Sequence, residues 1–91
     1  MYILVAYDIS DDYARAKAAA RLLALGFTRV QKSVYIARGG YTLAKEAYRA
    51  VKPLLAPGDR LLVLPLPRES LEKALVEGEA EWRQRRTALI L

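Results

Sequence analysis

The stretch YILVAYDISDDYARAKAAARLLALGFTRVQKSVYIAR, residues 2–38, changes its hydrophobic period twice, and those changes decide the fold. Tyr2 to Tyr7 is an unbroken apolar run that Asp8 ends, which reads as a first strand over Tyr2–Asp8. Ser10 can cap the helix that follows, with Asp11 and Asp12 in its first turn, where carboxylates meet the positive end of the helix dipole. The alanine-rich segment AKAAARLLAL, residues 16–25, carries that helix to Gly26, a C-terminal stop. Phe27 to Arg38 alternates and is rich in Val, Tyr and Ile, so it reads as two short strands hinged at Lys32 and Ser33.

Downstream, Gly39 and Gly40 end the extended chain. From Tyr41 to about Leu55, Leu43, Ala47, Ala50, Val51 and Leu54 fall on one helical face, while Lys45, Arg49 and Lys52 fall elsewhere. Pro53, Pro57 and Gly58 close that helix. Arg60 to Leu66 is a further apolar strand, and Pro65 places it at an edge or near a strand end. Ser70 to Val76 suits one or two helical turns, Glu79 to Arg83 an extended piece, and Thr87 to Leu91 a short apolar strand. The order β-α-β-β-α-β with an extra C-terminal strand predicts an α+β, ferredoxin-like sheet with both helices on one face. With no repeat, low-complexity tract or long linker, residues 1–91 read as a single domain.

Helices on one face leave the other open, yet the first strand is apolar at odd and even positions alike. Such a second face is usually buried, most simply against the same sheet of a second copy, so a homodimer is expected. Size points the same way. A chain of 91 residues buries only roughly 60 to 65% of its unfolded surface, and this one is 54% hydrophobic with no cysteine to staple it. The run Tyr2–Tyr7 lacks a basic region before it and is too short for a signal or membrane span, so a cytoplasmic protein with no membrane partner is expected.

Fifteen Lys and Arg against ten Asp and Glu give a formal net charge of +5, which favours polyanions as partners. The charge is unevenly spread. Arg15, Lys17, Arg21, Arg29, Lys32 and Arg38 lie between Tyr13 and Arg38 with no acid among them, while seven of the ten acids stand from Glu46 onward. Arg15, Lys17, Arg29 and Lys32, interleaved with Tyr7, Tyr13 and Tyr35, can hold a phosphate backbone; sheet packing is the other reading of the tyrosines.

The absence of His and Cys excludes Ser-His-Asp and cysteine nucleophiles, histidine-based ribonuclease chemistry and ordinary zinc sites. Carboxylates holding a hard cation remain, Mg²⁺ or alternatively Mn²⁺, which serves phosphodiester cleavage by activating water and neutralising charge. Asp8, where the first strand turns towards a helix N-terminus, is the best candidate ligand, and the alternative is an acceptor for backbone N–H groups. Asp11 and Asp12 are accounted for by capping. A two-fold axis near Asp8 would let each subunit bring one carboxylate to a shared cation.

Two blocks carry a resemblance: VAYDISDDYARAK, residues 5–17, and GFTRVQKSVYIA, residues 26–37. A hydrophobic strand ending in Tyr-Asp, a basic residue about seven places on, and an Arg-x-Gln-x-Ser-Val-aromatic strand together resemble the small CRISPR-associated endoribonuclease family, the second core protein of those systems. The resemblance covers Met1 to about Leu66. It implies a ferredoxin-like homodimer, metal-dependent nuclease activity on single-stranded RNA or on DNA, and a part in acquiring spacers beside an integrase. It further implies Asp8 as the catalytic, metal-binding acid, with Tyr7, Arg15, Lys17, Arg29 and Tyr35 at positions used for activity or substrate contact. Lys17 stands where Arg is often found, and loses the bidentate fork; Tyr35 stands where Phe is frequent.

Two functions of different class follow. One is a Mg²⁺-dependent endonuclease acting through an Asp8 pair. The other is a non-catalytic dimeric adaptor that binds duplex DNA between integrase subunits. An RNA-recognition domain is disfavoured because its Gly-Phe-rich strand motif is missing, and an acylphosphatase because the chain contains no Asn.

Overall fold

The computed structural model describes residues 1–78. Its elements are β1 (Tyr2–Asp8), α1 (Asp12–Ala24), β2 (Thr28–Gln31), β3 (Val34–Arg38), α2 (Tyr41–Val51), a 3-10 turn (Lys52–Leu54), β4 (Arg60–Leu66) and α3 (Arg68–Glu72). The four strands form one antiparallel sheet in the order β2-β3-β1-β4, the ferredoxin-like arrangement expected from the element order. The extended piece at Glu79–Arg83 and the strand at Thr87–Leu91 lie outside the described residues.

Strand β1 is central, and its pleat divides its side chains between two clusters. Ile3, Val5 and Tyr7 face one side, where they pack with Ala18 and Leu22 of α1, Ala44, Ala47 and Val51 of α2, and Tyr35 and Ala37 of β3. Small side chains at Ala18, Ala44 and Ala47 bring the helices close to the sheet and to each other. A hydrogen bond of 2.8 Å from Arg21 Nη1 to the Ala50 carbonyl crosses between the two helices. On the opposite side Tyr2 joins Val30, Ile36 and Leu71, with Leu4 and Val34 against them.

Helices α1 and α2 share one face of the sheet as expected, and Leu71 adds a cover on the other. The helical segment after β4 begins at Arg68, earlier than Ser70, and its Leu71, 2% exposed, belongs to the cluster opposite α1 and α2. The short α3 therefore lies opposite the two long helices, and the chain itself covers the Tyr2 end of the second face. The Asp8 end stays open, with Leu62 and Leu64 of β4 52% and 41% exposed.

Both ends of α1 follow from local chemistry. Asp11, not Ser10, is the N-cap, accepting a 2.8 Å hydrogen bond from the Ala14 amide. Ser10 is drawn away because its amide and hydroxyl both donate to Asp59, at 3.2 and 3.1 Å. At the other end Gly26 takes φ +95°, and the amides of Gly26 and Phe27 reach back to the carbonyls of Leu23 and Leu22 at 3.0 Å each. This is the Schellman closure, with Phe27 and Leu22 buried together. Helix α2 stops at Val51 rather than Leu55, and Pro53 lies in the tighter turn that continues it. Pro65 sits on edge strand β4, where a missing N–H costs no ladder bond on the solvent side.

Leu71→Ala should lower the unfolding free energy by about 2 to 5 kcal/mol, as large-to-small changes in a core do, whereas Leu23→Ala, on the exposed side of α1, should change it by less than about 0.5 kcal/mol. Urea unfolding followed by circular dichroism checks both. Equal effects would remove Leu71 from the core.

Candidate nucleic-acid interface

One end of the sheet gathers most of the functional candidates. There β1 finishes at Asp8, β2 turns into β3 through Lys32 and Ser33, and β4 begins at Arg60. Ser33 takes φ 62°, and its carbonyl accepts a 3.1 Å hydrogen bond from the Tyr7 amide, tying the turn to β1.

Above this end, on the helix side, lies a cleft of about 290 Å³ whose lining includes Tyr7, Arg15, Arg29, Lys32 and Tyr35. The Tyr7 and Tyr35 rings stack at 6.0 Å between centroids and 22° between planes, and the Tyr7 hydroxyl reaches that of Tyr35 at 3.5 Å. Both rings are buried, so they form the floor, and the cations form the wall. Arg15 is partly committed to the fold: Nη1 donates to the Ile9 carbonyl at 3.0 Å and Nη2 pairs with Asp12. Arg29 and Lys32 are exposed and make no ion pair among the described residues, so they are available to phosphate oxygens.

Two candidates stand apart from this cleft. Lys17 lies on the exposed face of α1 with its Nζ 5.4 Å from the centre of the Tyr13 ring. Asp8 is exposed and belongs to the opposite side of the sheet, since its neighbour Tyr7 points into the helix-side core. Arg60 is its register partner on β4, and Ala6 and Leu62 line the same shallow depression. Among the described residues no three Asp, Glu, His or Cys side chains come together to hold a metal ion. Asp8 is the one carboxylate in the lining of this depression, and a divalent cation there would need further oxygen ligands, which a second chain could supply.

Asp59 escaped the sequence reading. Its carboxylate collects the amide of Ala56 at 2.8 Å as well as both Ser10 donors, and so ties the loop after Asp8 to the turn before β4. The Ala56 amide first, and then Ser10, hold its carboxyl below the usual range. The available signal was the run Pro57-Gly58-Asp59, a turn with an acceptor at its end.

The fold and this end of the sheet define a class: small ferredoxin-like proteins with a cationic, tyrosine-floored cleft on one side of a strand end and a lone acid on the other. The family profile described as CRISPR associated protein Cas2 matches residues 1–74, and the chain belongs to that family. It is 56% identical over 75 residues to the CRISPR-associated endoribonuclease Cas2 of Aeropyrum pernix, covering 81% of this chain and 82% of that protein. It is 40% identical over 78 residues to CRISPR-associated endoribonuclease Cas2 1 of Pyrobaculum aerophilum, covering 86% and 81%. A Thermoproteus tenax protein named CRISPR-associated endonuclease Cas1/endonuclease Cas2 fusion is 32% identical over 76 residues, covering 82% of this chain and 29% of the fusion. No helix among the described residues is long and apolar enough to cross a membrane.

The buried floor of the cleft sets a pH limit. Burial, then the Tyr35 hydroxyl and the repulsion a second phenolate would meet, push the Tyr7 phenol well above the ordinary tyrosine range, against a smaller opposing pull from Arg29 and Ser33. A pKa raised by folding contributes stability below the unfolded value of about 10, and that stability is lost as pH climbs beyond it. Alkaline absorbance titration should show a phenol that ionises only as the protein unfolds, and Tyr7→Phe should remove that late phenol. Simultaneous ionisation of all six in folded protein would contradict a buried Tyr7.

Proposed function

We propose that this Cas2-family chain is a dimeric, metal-dependent endonuclease of CRISPR spacer acquisition, with Asp8 as its metal-binding acid and RNA or DNA as its substrate. The observation that carries the reading is the position of Asp8: an exposed carboxylate at the end of the central strand, on the half of the second face that α3 leaves open. The apolar residues beside it, Leu62 and Leu64, give a second copy of the chain a reason to dock there. A two-fold axis near Leu62 then brings two Asp8 carboxylates together. A bound Mg²⁺ would lower the pKa of a water molecule and neutralise charge on the phosphodiester. The chain's own contribution is to hold that cation through the Asp8 oxygens and to anchor flanking phosphates on Arg29 and Lys32, which lie at the same end of the sheet. The relatives named endoribonucleases support a nucleolytic reading.

A second reading, an adaptor bridging integrase subunits on duplex DNA, is favoured by the fusion of a homologous segment to Cas1 in Thermoproteus tenax. In that reading the basic face does the binding and Asp8 need not cleave.

Asp8→Asn keeps shape and removes charge, so it should abolish Mg²⁺-dependent cleavage of labelled RNA or DNA per folded protein, while sedimentation still shows twice the chain mass. Full cleavage by the folded variant would sink the catalytic assignment, and a clean monomer for the parent protein would sink the shared cation.

Affinity for duplex DNA should fall about a thousandfold between about 50 and 200 mM salt if the dimer neutralises about six phosphates. Arg29→Glu with Lys32→Glu should weaken binding and flatten that dependence with the melting temperature preserved. An unchanged salt slope would remove the cleft from the interface.

A further inference from the structure

A second cavity with a mixed aromatic and cationic lining is separate from the Tyr7 cleft. It measures about 490 Å³ and runs along α2 beside β4, lined by Tyr41, Lys45, Tyr48, Arg49 and Lys52, with Ala44 and Val63 as its floor. At 3.6 residues per turn the five polar and aromatic side chains fall within about 100° of arc, beside the buried stripe of Ala44, Ala47 and Val51. Tyr41 and Tyr48 are 63% and 46% exposed, unusually open for two large rings on one helix. Lys45 Nζ stands 5.2 Å from the Tyr41 ring centre and Lys52 Nζ 5.4 Å from that of Tyr48. Among the described residues no carboxylate pairs with Lys45, Arg49 or Lys52.

From these features we infer that the α2 face is a second nucleic-acid site, one that takes single-stranded DNA or RNA, with unpaired bases stacked on Tyr41 and Tyr48 and phosphates held by Lys45, Arg49 and Lys52. Charge complementarity selects a polyanion, because the cleft carries three cations and no acid in its lining. The rings select the single strand: a base offers its flat face to an aromatic side chain only when it is unstacked from a duplex. A lysine covers one face of each ring, so the opposite face is where a base docks and the ammonium lies next to the strand's phosphates. The rings are separated by seven residues, about 10 Å of helix rise, which is about three nucleotides of a stacked strand. The cleft is on the helix side of the sheet, so docking of a second copy on the opposite side leaves it open. Nothing here depends on Asp8 or on the nuclease reading.

The test uses the full chain and fluorescence anisotropy with labelled oligo(dT), oligo(rU) and a duplex of equal length. Tyr41→Ala with Tyr48→Ala should weaken single-strand binding by about thirtyfold or more and leave duplex affinity in place, and Tyr41→Phe with Tyr48→Phe should restore it. Lys45→Gln, Arg49→Gln and Lys52→Gln together should reduce the single-strand salt slope by about two. All these side chains are exposed, so melting temperatures should hold. Photo-crosslinking of a 5-bromouracil oligonucleotide should mark Tyr41 or Tyr48, in Asp8→Asn protein as in the parent. Equal loss of duplex and single strand would reduce the face to a plain phosphate surface and overturn the proposal. So would crosslinks confined to the Tyr7 cleft, or unimpaired oligonucleotide binding by the variants, the result expected if an acidic protein segment is the true occupant.

Discussion

A strand that is apolar on both faces has to be covered on both, and the rest of this protein is arranged around that requirement. Tyr2 to Tyr7 cannot lie at an edge or against water, so β1 takes the centre of the sheet with β3 and β4 on either side. One face is closed by two alanine-lined helices, which approach closely because their contact residues are small. The other is closed only in part, by Leu71 reaching over from the short helix after β4. Among the described residues, a strip of leucine running towards Asp8 is left exposed. The unfinished core and the lone acid therefore occupy the same half of the same face.

That geometry separates the cationic cleft from the acid. Tyr7 and Asp8 are consecutive, and the pleat sends them to opposite sides of the sheet. The phenol becomes part of a buried, stacked floor under Arg29, while the carboxylate stays in water beside Arg60. In the proposed function, a nucleic acid held by the cations of the helix side would pass over the strand end to meet the acid. The loop at that end is held by Asp59, whose carboxylate gathers donors from both Ser10 and Ala56.

The two basic surfaces differ in kind. In the Tyr7 cleft the rings are buried and support cations that point outward, which suits recognition of a phosphate backbone without reading bases. Along α2 the rings themselves are exposed and the lysines lie across them, which suits unpaired bases. A protein that handles both duplex and frayed or single-stranded ends would use the two together.

Local rules carried the strands, the helix α1 and its Gly26 stop, the hinge at Lys32 and Ser33, the edge placement implied by Pro65, and the basic first half, because periodicity, turn chemistry and charge are properties of short segments. The two-sided apolar strand also announced that its second face needed a cover. What covers it was beyond such rules: that Leu71 folds back onto Tyr2 depends on contacts far apart in sequence. The same holds for the cap of α1. Ser10 and Asp11 are both good caps locally, and only the distant Asp59, by claiming Ser10, decides for Asp11. Among the site candidates, sequence spacing suggested one basic and aromatic group, and the tertiary structure divided it: Tyr7, Arg15, Arg29, Lys32 and Tyr35 share a cleft, while Lys17 and Tyr13 lie elsewhere. Residue types determine which chemistry is possible, but which side chains meet is set by the pleat of a strand and the register of its neighbours, and both are fixed only when the sheet is assembled.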